Sequence, residues 1–208
     1  MYMSRVELNI RRRETMRALS SPEIIHSAVE SGFPRASEQS RNLWRIDVIA
    51  ACYWLYVLSR QKPDLTHIVE QFGWPAHDQK WETKDYKPFL DQIKKGQAYR
   101  FRLCANPVYT VKENGKNKSY AHVTAGHRRK WLLDRSNKNG FLLCEDFGIV
   151  DNNIKRFKHE KSKITINIVT FEGHLVVTDE ELFKNTLISG IGRSRAYGCG
   201  LLTLIQIK

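Results

Sequence analysis

The order in which local patterns follow one another constrains this chain more than any single motif. Residues 1–9 alternate as a short strand, with Tyr2, Val6 and Leu8 on one face. A basic loop follows, Arg11-Arg12-Arg13. Ser21 and Pro22 read as an N-cap with proline at the first helical position, and Gly32 and Pro34 stop that helix after about Ser31. Leu43–Ala50 and Ala51–Arg60 read as two strands, although the unbroken apolar run Val48–Leu58 also suits a buried helix. Leu65–Phe72 is a helix ended by Gly73 and Pro75, and residues 76–96 suit a late strand and a linker.

The pattern then restarts. Ala98–Val111 is a strand around Asn106-Pro107, and Asn114-Gly115 is a turn inside a lysine-rich loop. Arg128–Ser136 is a basic helix, Phe141–Phe157 holds one or two strands, and Lys163–Val177 is long and extended. Asp179–Ser189 is a helix with acids in its first turn, where the helix dipole favours them. A glycine-rich loop over residues 190–200 leads to a last strand, Leu201–Ile207. Each half therefore reads β-α-β-β-α-β. The expectation is an α+β chain of two tandem ferredoxin-like (RRM-like) domains, residues 1–95 and 96–208. No close sequence repeat links the halves, so the duplication rests on element order.

Thirty-four Lys and Arg against 22 Asp and Glu leave a net charge of +12. Such an excess says nothing of fold but favours a polyanionic partner. Residues 96–208 hold most of it, with 19 basic against 10 acidic side chains. The four cysteines, Cys52, Cys104, Cys144 and Cys199, lie far apart without a C-x-x-C pair. A disulfide framework or zinc finger is not expected, and a reducing, cytoplasmic setting fits. No apolar run approaches the ~20 residues of a membrane span. A soluble protein is expected, with no membrane partner.

His26 stands out on the first helix. At 100° per residue, Ile24, Ile25, Ala28 and Val29 form an apolar stripe, while Glu23, His26, Ser27 and Glu30 form a polar one. The imidazole thus faces solvent or a ligand, and carboxylates at i−3 and i+4 favour its protonated form. Spacing alone favours an ordinary surface histidine over this reading. The glycine loop carries Gly190, Gly192, Arg193, Ser194, Arg195, Gly198 and Gly200. It is not a Walker A loop, and it lies between a helix and a strand, the reverse of a Rossmann turn. Phosphate contact by its glycines and arginines is one reading; a helix cap followed by a tight turn is the other.

No metal site is expected, since His122 and His127 have no acidic cluster beside them, and no nucleophile motif appears. Two basic tracts remain. One is Arg128, Arg129 and Lys130. The other is Lys155, Arg156, Lys158, Lys161 and Lys163 about a hairpin turn, where six basic side chains, His159 included, fall within nine residues. Such density points to a nucleic-acid backbone, though a solvated edge strand also carries charge.

Several segments together carry a resemblance: MYMSRVELN, SPEIIHSAVESGFP, RNLWRID, YRFRLCANPV, RRKWLLD, VTFEGHLVV and GIGRSRAYGCGLLTL. In this order, over essentially all 208 residues, the chain resembles the CasE family, the repeat-processing endoribonucleases of type I-E CRISPR systems and subunits of the Cascade complex. The resemblance implies two tandem ferredoxin-like domains and no cofactor. Expected partners are the CRISPR repeat RNA stem-loop, its crRNA product and the other Cascade subunits. It implies cleavage at the base of the stem-loop without metal, by attack of the upstream 2′-OH to give a 2′,3′-cyclic phosphate and a 5′-OH. The family histidine falls on His26, as general acid or base. Relatives carry a tyrosine three residues before it; here that place is Glu23, and a basic position five after it is Ser31. Arg35, Ser194, Arg193 and Arg195 are then candidates for the missing support, and Glu23 for tuning His26. A non-catalytic RNA-hairpin-binding subunit is the rival reading, and a scaffold within a ribonucleoprotein is compatible with either.

Overall fold

A computed structural model describes residues 1–34, 42–77, 81–159 and 162–207, with the side chains of Lys158 and His159 also set aside. The first half runs β1 (Tyr2–Leu8), α1 (Arg13–Ser20), α2 (Pro22–Ser31), β2 (Leu43–Ile49), β3 (Cys52–Ser59), α3 (Thr66–Phe72) and β4 (Glu82–Asp85). Its sheet has the order β2-β3-β1-β4, with every pairing antiparallel. A short α4 (Lys87–Asp91) leads to the second half: β5 (Ala98–Ala105), β6 (Val108–Glu113), β7 (Lys116–Ala121), α5 (Ala125–Ser136), β8 (Phe141–Leu143), β9 (Gly148–His159), β10 (Ser162–Val177), α6 (Glu180–Ser189) and β11 (Leu202–Gln206). Here the order is β11-β5-β10-β8, with β9 also paired to β10. Both sheets thus place the first and third strands of a βαββαβ unit at the centre, which is the ferredoxin-like arrangement.

The apolar run at 48–58 resolves as a hairpin. Ala50 and Ala51 take φ of +49° and +65° between β2 and β3, the primed two-residue turn that matches strand twist. The basic loop expected after β1 is present at Arg11 and Arg12, but an unexpected helix, α1, begins at Arg13. Its buried residues Thr15 and Ala18 lie three apart, and Thr15 Oγ1 donates to Phe72 O at 2.9 Å. Exposed arginines hide so short an apolar stripe in the sequence. The strand expected over 98–111 breaks at Asn106-Pro107, because proline cannot donate to a ladder. The following lysine-rich segment pairs as β7 through the Asn114-Gly115 turn, where both residues have positive φ.

Two helix-on-sheet cores result. One gathers Val6, Leu8, Ile25, Val29, Leu55 and Phe72; the other gathers Phe101, Leu103, Trp131, Phe171, Phe183 and Leu187. A third, small cluster of Leu43, Leu58 and Leu201 lies where the two sheets meet. Along β2, Leu43, Arg45 and Asp47 alternate toward that contact while Trp44 and Ile46 join the first core. None of the described helices is long and apolar enough to cross a membrane.

Candidate functional site

The helix α2 buries Pro22, Ile25, Ala28 and Val29, which leaves His26 on its outward face as the helical period requires. The His26 side chain is 34% exposed, and its Nδ1 lies 3.9 Å from Glu30 Oε1. That nitrogen is covered and has no hydrogen-bond partner. The ring is thus partly open on the outer face of α2, where a proton-transfer group can reach a ligand. Glu23 is half-buried one turn earlier.

The glycine loop meets this helix. Its 3-10 turn Arg195–Tyr197 packs against α2 and β2. Burial pushes the Tyr197 phenol up in pKa, and the nearby Glu23 carboxylate adds to the rise. Gly198 has φ +81°, and a Cβ there would stand 2.8 Å from the Trp44 ring, so only glycine lets the loop lie on β2. Gly200 N donates to Cys104 O at 2.7 Å, and Gly200 O accepts from Ile191 N at 3.0 Å. Arg195 turns inward and donates to the carbonyls of Gly192 and Gly190 at 3.2 and 3.1 Å. Ser194 Oγ accepts from Asn106 Nδ2 at 2.9 Å. Arg193 alone of this group reaches outward, donating to Ser119 Oγ on β7 at 2.5 Å. Gly190, Gly192, Gly198 and Gly200 thus shape the loop against protein atoms, and the cation the loop presents is Arg193.

The basic tracts divide by direction. In β9, Lys155 faces the first half, its Nζ donating to Leu19 O at the end of α1 at 3.0 Å, while Phe157 meets Tyr197 of the glycine loop edge-on at 4.9 Å. Arg156, one residue off in the pleat, is exposed, as is Lys163 on β10. Arg35 and Lys161 lie outside the described residues, as does the side chain of Lys158. On α5, Arg128 donates to His122 O at 2.9 Å, Arg129 donates to Phe147 O and lies over its ring, and Lys130 pairs with Asp134. Among the described residues no three His, Cys, Asp or Glu side chains gather as a metal would require.

A family model described as CRISPR associated protein matches residues 1–206. The chain belongs to that CRISPR-associated family. The resemblance to CasE carried by its motifs holds along its length. It is 29% identical to the CRISPR-associated endoribonuclease Cse3 of Thermus thermophilus, with 98% of this chain and 99% of the relative aligned. It is 25% identical to the Cascade subunit CasE of Escherichia coli, with 88% and 91% aligned. Among solved structures, Thermus thermophilus Cse3 bound to an RNA representing a pre-cleavage complex superposes with a TM-score of 0.80 at 26% identity, covering 98% of each chain.

In this CRISPR-associated chain, sequence reasoning passed over three groups. Tyr197 stood inside the glycine loop, but only the fold brings its phenol to Glu23. The exposed Arg13 and Arg17 of α1 flank α2 on the surface; the unread helix concealed that. Tyr109 and Tyr120 stand opposite each other on β6 and β7, and only the pairing of those strands makes them neighbours.

Proposed function

We propose that this chain is a repeat-processing endoribonuclease: it binds the stem-loop of a CRISPR repeat transcript and cuts at the base of the stem to give mature crRNA. Its alignment with an endoribonuclease over 98% of its length supports this reading, as does the structural likeness to Cse3 caught with RNA in a pre-cleavage complex. The single observation that carries the chemistry is the placement of His26. It is partly open on a helix whose inner face is locked into the core, beside the loop of the second half.

In the proposed mechanism the 2′-OH upstream of the cut attacks the adjacent phosphorus in line, giving a 2′,3′-cyclic phosphate and a 5′-OH. His26 moves the proton, worth about 10²–10⁴-fold in rate. Arg193, Arg156 and Lys163 supply positive charge to the backbone, and the stem is held by phosphate and shape because the A-form major groove is too narrow to read. Residues 1–95 contribute the proton-transfer helix and residues 96–208 most of the grip. The chain acts within the cytoplasm as a member of a Cascade assembly.

Glu23 favours a second reading, a non-catalytic RNA-hairpin-binding subunit, because a carboxylate beside a scissile phosphate repels it. Incubation of labelled repeat RNA with the protein and EDTA separates the two. Cleavage in EDTA that stops when a single 2′-deoxy nucleotide precedes the cut is expected. Intact RNA bound but uncut selects the binding subunit, and cleavage that needs Mg²⁺ and tolerates the deoxy nucleotide overturns the mechanism.

A further inference from the structure

A second site lies beside the glycine loop, two of whose residues, Gly192 and Arg193, line it. Strand β6, the segment after β7, α5 and the glycine loop enclose a cleft of about 430 Å³, lined by Asn106, Tyr109, His122, His127, Trp131 and Arg193 among others. Three of its rings form a continuous series: Tyr109 and His122 have centroids 5.0 Å apart, and His122 and His127 5.8 Å apart. Tyr120 extends it across the hairpin, 5.9 Å from Tyr109. Both tyrosines remain open, at 46% and 39% exposed. At the same cleft, Asn106 Oδ1 and Trp131 Nε1 are buried without partners, on residues only 8% and 3% exposed.

We infer that this cleft is a stacking site for an unpaired nucleobase of the repeat RNA, next to the stem. The inference rests on the proposed function and deepens it. Three observations carry it. Aromatic rings with an arginine beside them are what unpaired bases stack upon, whereas bases inside an A-form duplex have no free face to offer. The unpartnered acceptor, Asn106 Oδ1, and the unpartnered donor, Trp131 Nε1, complement a base edge, which carries both; a phosphate carries no donor. Finally, Arg193 of the cleft is four residues from Tyr197, whose turn packs on α2. Four residues span at most ~14 Å, so a base held here is close to the cut rather than in the distant hairpin loop. A cross-strand tyrosine pair also stabilises a hairpin, but that role needs neither the histidines nor the unpartnered polar atoms.

The test uses the full chain and two repeat RNAs, one with its unpaired flanks and one ending bluntly at the stem. Tyr109→Ala and His122→Ala are expected to weaken binding of the flanked RNA by at least about tenfold while leaving the blunt RNA unchanged. Tyr109→Phe, which keeps the ring, should retain wild-type affinity. Replacing each unpaired nucleotide in turn by an abasic one should find a position where the wild type loses as much, and Tyr109→Ala should lose nothing further there. Equal losses on both RNAs, no loss on either, or full affinity for every abasic RNA overturns the inference. So does a Tyr109→Ala variant that binds RNA normally but fails to join other Cascade subunits, since the surface would then belong to a protein partner. A wild-type chain that binds neither RNA overturns the proposed function itself, and this inference with it.

Discussion

Arg45 and Asp47 form an ion pair, 2.7 Å from Nη2 to Oδ2, with both side chains under 5% exposed. They are two residues apart on β2, so the pleat turns both to the same side, toward the second half. There Arg45 also donates to Arg102 O at 2.9 Å, Leu201 O at 2.8 Å and Thr203 Oγ1 at 2.7 Å. Arg102 Nε lies 3.1 Å from Asp47 Oδ1. This one guanidinium satisfies acceptors from both sheets.

Removing one member of such a pair leaves the other buried and uncompensated. Asp47→Ala should therefore destabilise the chain by about 3–5 kcal/mol in denaturant unfolding. The double change Arg45→Met with Asp47→Leu should recover much of that, because no charge then remains unpaired in the pair. A single variant as stable as the wild type would show that the contact contributes little.

His26→Ala should lower the cleavage rate of repeat RNA by about 10²–10⁴-fold. Hairpin affinity should stay nearly unchanged, since no phosphate cation is removed. Binding and single-turnover cutting measured on the same preparation decide it, and an equally active variant would remove His26 from the mechanism.

The basic strand should split into two behaviours. Arg156→Ala should weaken RNA binding and flatten the log K against log[salt] slope by roughly 0.7–0.9. Lys155→Ala should leave that slope alone and lower stability by roughly 1–3 kcal/mol, because its ammonium is spent on Leu19 O at the end of α1. Identical slope changes in both variants would mean that Lys155 releases that carbonyl when RNA arrives.

Burial first, then the neighbouring His127 and Arg135, hold the His122 imidazole below its ordinary value of 6.5. Folding thus favours the neutral ring. That contribution is complete above the unfolded value and is lost as pH falls through the window beneath it. Titration of the His122 ring signals by NMR should give a midpoint below 6.5, and His122→Gln should remove part of the acid-side loss of stability. A midpoint at or above 6.5 would contradict this.

What the sequence determined by itself is what depends on near neighbours. Alternation and helical period act over two to four residues, so the strands, most helices and the outward side of α2 were legible from residues such as Ile25, His26 and Val29. Element order then implied the ferredoxin-like pairing, since a βαββαβ chain has few compact arrangements. A resemblance over the whole length added the chemistry expected at His26. The helix α1 escaped because two buried residues, Thr15 and Ala18, make too narrow a stripe among arginines, and β7 because all six of its residues are exposed. Contacts between positions far apart in the chain belong to the tertiary structure alone. Lys155 reaches Leu19 across 136 positions, and Arg45 reaches Leu201 across 156. Only docking of the halves decides that Lys155 and Arg195 turn inward while Arg156 and Arg193 stay on the surface, because a charge is drawn to whichever unpaired carbonyl or carboxylate the fold brings within about 3 Å, and no local pattern encodes where that will be.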